Sequence, residues 1–169
     1  MGARVNIAQR GDVQHSLAAT RACLTTLAKD VRVVLFGVSR GASVALQVAA
    51  ALTPAEAQRV ALVVCEGVFD DSEHIMRDRF TRPGAWLLAC LLPWFTAWRA
   101  DRAADTRWAA LGFPHKQLPV AIVTSRADTT VRPERSRAVY DALAGGGHTR
   151  LYWCELATSP HPDYATHNE

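Results

Sequence analysis

The sequence lacks the features that mark several common classes of protein. Its four cysteines lie far apart and form no CxxC pair, so neither a zinc site nor a disulfide framework is predicted. The first eleven residues contain no apolar core, and we therefore expect no secretory signal and a cytoplasmic location. Seventeen of the nineteen basic residues are arginines scattered along the chain, and the net charge is only +3. That distribution argues against a nucleic-acid-binding surface, which would concentrate positive charge on one face or run.

No hydrophobic run is long enough to span a bilayer. The most apolar segment, residues 85–98, reads AWLLACLLPWFTAW, which is shorter than the roughly 20 residues required, and Pro93 interrupts it. We interpret it as a buried or lid helix and do not expect membrane contact. A membrane-surface anchor is kept as a third functional hypothesis, in which the bulky apolar side chains of this segment would enter the lipid: Trp86, Leu87, Leu88, Trp94, Phe95 and Trp98.

What the sequence does contain is typical of one soluble α/β domain covering residues 1–169. With 49% hydrophobic residues, the chain can bury a sizeable core. Short β-branched runs alternate with helix-like stretches, which indicates βαβ units and a mostly parallel sheet. The predicted strands are 31–37, 59–66, 118–125 and 149–156, and the predicted helices are 12–29, 41–52 and 133–143. Asp12 is a candidate cap for the first helix. Cys65 and Cys154 lie in apolar runs and are expected to be buried.

A long interval, about 70–116, separates the second and third predicted strands. It holds four of the five tryptophans. Because long interruptions of a simple βα alternation are usually functional, we predict an apolar helical cap or lid here, covering a cleft.

The motif Gly37-Val38-Ser39-Arg40-Gly41 stands directly after a buried strand and opens a helix rich in small residues. A strand that turns at once into a helix forms a tight elbow, and flanking glycines remove side chains that would clash there. Ser39 would then project above the carboxyl edge of the sheet as a nucleophile, and the N–H of Arg40 would face a developing oxyanion. The motif with its flanks resembles the nucleophile elbow of the α/β-hydrolase superfamily.

That resemblance implies an acid after a later strand and a histidine after the last one, in the order Ser, acid, His. Asp128 follows the third predicted strand and is the expected acid, with Glu66 and Asp70 as alternatives after the second. His161 lies between two prolines after the fourth strand and is the expected base. The other histidines are weaker candidates because of their positions: His15 on the first helix, His74 and His115 in the long interval, His148 at the opposite sheet edge, and His167 at the C-terminus.

The resemblance covers nearly all of this chain but only the latter half of the superfamily's fold. The superfamily's sheet normally has eight strands with the elbow after the fifth, whereas this chain reaches its elbow by residue 39. We expect the first strands to be absent, together with the loop that normally supplies a second oxyanion donor. Strand 31–37 should then form an open sheet edge that invites self-association or a partner chain.

Two principal functions are therefore expected. The first is a serine hydrolase that cleaves an ester, thioester or related acyl bond of a small substrate, without cofactor or metal. The alternative is a weak or inactive α/β-hydrolase fragment that acts by associating with another chain.

Overall fold

A computed structural model describes residues 9–71, 74–75 and 106–158 of the chain. Helices and strands alternate along these residues, as the sequence predicts. The elements are α1 (Gln9–Thr26), β1 (Val33–Val38), α2 (Arg40–Ala51), α3 (Pro54–Gln58), β2 (Val60–Glu66), α4 (Thr106–Leu111), β3 (Val120–Ser125), α5 (Pro133–Gly145) and β4 (Leu151–Leu156).

The four strands form one parallel sheet in the order β1-β2-β3-β4. Gly37 in β1 lies beside Cys65 in β2, and Cys65 lies beside Ile122 in β3. Because all strands run the same way, their carboxyl ends share one edge of the sheet, where open α/β sheets bind ligands.

The core lies between one face of the sheet and helices α2, α4 and α5. Alternate side chains of the strands point into it, including the fully buried Val63, Cys65 and Ile122. Helix α2 buries eight successive residues from Ala42 to Ala49, so it is covered on nearly every side. Helix α1 packs against α2.

The other face of the sheet is open at both ends of the described strand order. Val34 and Phe36 in β1 are 55% and 57% exposed, and Tyr152 in β4 is 52% exposed. Cys154 is also exposed, so the prediction that it is buried was wrong, whereas Cys65 is buried as expected. The reason is that β4 packs one face only, which an apolar run in the sequence does not reveal.

Most predicted elements are confirmed with shifted ends. Helix α1 begins three residues before the predicted start, so Asp12 lies inside its first turn and is not its cap. The short helix α3 was not predicted, although Thr53 caps it and Pro54 and Glu56 occupy its first turn.

The predicted cap falls mostly on residues 72–73 and 76–105, which lie outside the described residues. The end of that interval is described, and it belongs to the domain core: Ala110 and Phe113 are fully buried. Among the helices that the structure describes, none is both long and apolar enough to cross a membrane.

Candidate active site

Ser39 forms the one-residue turn between β1 and α2. Its backbone has φ 53° and ψ −120°, and among the described residues it is the only non-glycine residue with positive φ. Such a conformation costs of the order of 1–3 kcal/mol and persists only where the surrounding structure holds it. Here the Ser39 N–H donates to the carbonyl of Glu66 at 2.8 Å, and the Ser39 carbonyl accepts from the N–H of Ala42 at 3.0 Å.

Gly37 permits the close approach of β1 to the first turn of α2. A Cβ at this position would lie 2.1 Å from the carbonyl oxygen of Gly41 and 2.7 Å from the nitrogen of Ala42. The predicted need for glycine is therefore confirmed at Gly37. At Gly41 the prediction was wrong, because a Cβ there would meet no atom within 4 Å.

Arg40 is the first residue of α2, at the positive end of the helix. Its guanidinium group does not take part in the turn itself but pairs with Asp12 of α1, with Nε 2.8 Å from Oδ2. This ion pair ties the first turn of α1 to the elbow. Both side chains are 43% exposed, so the pair contributes at most about 1 kcal/mol to stability.

Asp128 lies in the loop after β3, at the carboxyl edge of the sheet, as predicted. It is only 4% exposed. Its Oδ1 accepts hydrogen bonds from the N–H groups of Thr130 and Val131, both at 2.8 Å, and its own N–H donates to the carbonyl of Ser125 at 3.2 Å. These bonds fix the orientation of the carboxylate within the loop.

The structure brings Ser39 and Asp128 to the same edge, because Ser39 directly follows β1 and Asp128 lies in the loop that follows β3. Only β2 separates their strands, and two inter-strand spacings amount to about 10 Å. The expected base, His161, lies outside the described residues. Strand β4, which precedes it, pairs with β3, and the carbonyl of Leu156 accepts from the N–H of Arg126 at 3.0 Å.

The alternative acid Asp70 already has a histidine beside it. Asp70 follows β2, is 4% exposed, and places Oδ2 2.8 Å from Nδ1 of His74. Arg135 of α5 lies 3.7 Å from the same oxygen. Sequence reasoning missed this acid–histidine pair, for which the four-residue spacing was the available signal. The other alternative, Glu66, ends β2 and supplies the carbonyl that anchors Ser39.

Cys65 is the other potential nucleophile near the turn, since it lies beside Gly37 in the sheet. It is fully buried, and burial raises the pKa of its thiol to about 12. A thiol is nucleophilic as the thiolate, so Cys65 is inert at neutral pH. Within residues 9–71, 74–75 and 106–158, no group of three or more histidine, cysteine or acidic side chains could hold a metal ion.

Comparison with known proteins shows similarity of fold without similarity of sequence. No protein-family model and no curated protein matches the chain. Among solved structures, a Mycobacterium tuberculosis puromycin-hydrolyzing peptidase matches with TM-score 0.66 and 18% identity, over 89% of this chain and 22% of its own. A Pyrococcus furiosus esterase matches with TM-score 0.64 and 14% identity, over 95% and 57%. Zea mays acyl-protein thioesterase 2 matches with TM-score 0.55 and 15% identity, over 96% and 63%.

The chain therefore has the α/β-hydrolase fold, and its four strands correspond to the C-terminal half of that fold. The similar structures are hydrolases by name: a peptidase, an esterase and a thioesterase. This chain spans less than two thirds of the length of each.

Proposed function

We propose that the chain is a serine hydrolase that cleaves an ester, thioester or related acyl bond of a small substrate. The observation that carries this proposal is the strained backbone of Ser39 at the sharp turn between β1 and α2. Such strain is retained chiefly where a side chain must be presented to a ligand. The hydrolase neighbours of the fold support the same reaction class.

In the proposed reaction, the Ser39 hydroxyl attacks the acyl carbonyl while His161 takes its proton. The oxyanion of the tetrahedral intermediate faces the N–H of Arg40 at the start of α2. Collapse expels the alcohol or thiol, which receives the proton from His161. Water then attacks the acyl-enzyme by the same route and releases Ser39.

Asp128 is the proposed partner of His161, whose imidazole it would orient. Two observations support this assignment over Asp70: backbone donors hold the Asp128 carboxylate in place, whereas Asp70 is engaged with His74 and Arg135. The five residues from Leu156 to His161 can reach about 17 Å, which is enough to bring the ring between Asp128 and Ser39.

A fluorophosphonate probe tests the proposal, because it labels only an activated serine. We expect the wild type to be labelled and Ser39→Ala to be unlabelled. Ser43→Ala, four residues further along α2, is the matched control and should label normally. Absence of labelling in a wild type with a normal circular dichroism spectrum would contradict the proposal.

The same probe separates the two candidate acids. Asp128→Asn should lower the labelling rate by roughly 10³–10⁴-fold, as loss of an orienting acid does, while Asp70→Asn should leave it within a few fold. The reverse pattern would transfer the role to Asp70. His161→Gln should lower the rate at least as much as Asp128→Asn.

A second candidate function is association through the edge formed by residues 31–37, and we propose a second copy of the chain as the partner. The favouring observation is that β1 ends the described strand order while exposing Val34 and Phe36. Two identical edges can pair about a two-fold axis. Sedimentation should show a dimer that Val34→Lys abolishes and Tyr152→Lys on β4 preserves. A monomer at all concentrations would reject this candidate.

A cytoplasmic location is proposed on the sequence alone.

A further inference from the structure

A groove of about 370 Å³ lies at the edge of the sheet opposite Ser39, where the strands begin. Its walls come from the segments just before β1, β3 and β4 and from α3, and its floor is apolar, formed by Ala57, Val60 and Leu118. This volume is within the range of small-molecule sites, which usually combine an apolar lining with a few polar groups.

The rim of the groove carries an unbalanced positive charge. Arg32, Lys116 and Arg150 line it, and none of the carboxylates in the described residues does. Several other arginines in the described part of the chain are neutralised by a carboxylate: Arg21 pairs with Glu56, Arg126 with Glu155, and Arg137 with Asp141. Three cations around one groove repel one another, and an anion placed between them would remove that repulsion.

Hydrogen bonds position the backbone of Lys116 and the guanidinium group of Arg32. Thr149 donates both its N–H and its hydroxyl to the carbonyl of Lys116, at 3.0 and 2.9 Å. These two hydrogen bonds join the loops before β3 and β4. They keep Lys116 beside Arg150, the residue that follows Thr149. Arg32 donates to the carbonyl of Val60 at 3.2 Å. The exposed amides of Gln58 and Gln117 supply further donors at the rim.

We propose that this groove binds a small organic anion, with a phosphate or carboxylate group between Lys116 and Arg150 and an apolar body on the floor. Basic side chains and amides form charge-assisted hydrogen bonds with either head group. The site is at the opposite edge of the sheet from Ser39, so the proposal does not rest on hydrolase activity.

Calorimetric titration of the full chain with phenyl phosphate tests this site. Lys116→Gln and Arg150→Gln should each weaken binding roughly tenfold, the loss expected for one charge-assisted hydrogen bond. Arg137→Gln, which changes an arginine outside the groove, is the matched control and should bind as the wild type does. Ser39→Ala should also bind normally, which separates this site from the proposed active site.

Two further ligands, inorganic phosphate and benzoate, show which part of phenyl phosphate contributes to its affinity. Inorganic phosphate should bind more weakly than phenyl phosphate because it cannot use the apolar floor, and benzoate measures the preference for a carboxylate head. The proposal is overturned if the wild type binds none of the three anions. It is equally overturned if Arg137→Gln weakens binding as much as Lys116→Gln does, since that pattern would reflect general attraction to a basic protein.

Discussion

Neighbouring positions at the turn between β1 and α2 differ sharply in the side chains that they can accommodate. Gly37→Ala would force a Cβ against the backbone of Gly41 and Ala42, which cannot move without shifting the helix. We expect the free energy of unfolding to fall by roughly 3 kcal/mol, at the upper end for overpacking. Urea denaturation followed by circular dichroism measures the change.

Gly41→Ala is the matched control for Gly37→Ala, since a Cβ at Gly41 meets nothing. Replacing a helical glycine with alanine should stabilise the chain by up to about 1 kcal/mol. If both variants lose the same stability, the close approach at Gly37 is not what requires glycine there.

Ser39 itself should limit stability. Its positive φ is strained for any residue with a Cβ, so Ser39→Gly should be more stable than Ser39→Ala by about 1 kcal/mol. The comparison uses two variants that both lack the hydroxyl, which isolates the backbone effect. Equal midpoints in urea would show that the turn relaxes without cost.

Ser39 and Asp128 could be located from the sequence because each obeys a local rule. A serine flanked by glycines after a buried strand indicates an elbow, and a carboxylate after a parallel strand lies at the ligand-binding edge. The pair Asp70–His74 was missed: its four-residue spacing was a usable signal, but the contact also depends on the path of the chain after β2. The exposure of Cys154 depends on which face of β4 is covered, which is equally non-local.

At the level of elements, helix α3 depends on its N-cap, Thr53, the residue just before the helix. The Thr53 hydroxyl accepts from the N–H of Glu56, whose carboxylate accepts from the N–H of Thr53 at 2.7 Å. The hydrogen bond from the Thr53 backbone, and after it the one from Arg21, lower the pKa of Glu56. Two backbone N–H groups at the start of the helix, those of Thr53 and Glu56, are therefore each satisfied by the side chain of the other residue.

Thr53→Ala should lower the free energy of unfolding by about 1 kcal/mol, the usual cost of losing such a cap. Thr25→Ala is the control, since that hydroxyl only bonds carbonyls of its own helix α1 and is exposed. It should change stability by less than about 0.5 kcal/mol. Chemical denaturation measures both changes. If Thr53→Ala and Thr25→Ala lower the free energy of unfolding equally, the capping role of Thr53 is contradicted.

The strands and long helices were predictable as elements because apolar runs and helical spacing are set by burial on one or both sides. Their ends differ from the predicted ones by up to three residues. At the start of α1, the candidate cap Asp12 lies within the first turn, and its carboxylate pairs with Arg40. Helix α3 escaped notice because five residues are too few to show periodicity, although its capping residues were a usable signal.

For the molecule as a whole, buried His148 should make stability depend on pH. Its ring packs against Phe113, with centroids 5.4 Å apart, and burial lowers its pKa, as to a lesser extent does the charge of Lys116. The backbone groups of Leu118 and Arg150 oppose this shift, yet neither ring nitrogen meets hydrogen-bond geometry with a residue in the described ranges.

In the unfolded chain His148 should titrate near its ordinary pKa of about 6.5. Above that pH both states are neutral; below it the unfolded chain takes up the proton first, so the free energy of unfolding falls. The fall is at most about 1.4 kcal/mol per pH unit for one group and ends below the lowered folded pKa. Urea titrations at several pH values between neutral and mildly acidic should show that the free energy of unfolding of His148→Asn depends less on pH than that of the wild type. Equal pH dependence in the two proteins would contradict this role for His148.

The order of the four strands in the sheet is also their order along the chain. As the polypeptide leaves the ribosome, each new strand can therefore be added beside the one synthesised before it, and none has to be inserted between strands already joined. The turn that presents Ser39 is complete once β2 has emerged, because Glu66 supplies its anchoring carbonyl. All residues that form the strained turn at Ser39 are thus synthesised before Asp128.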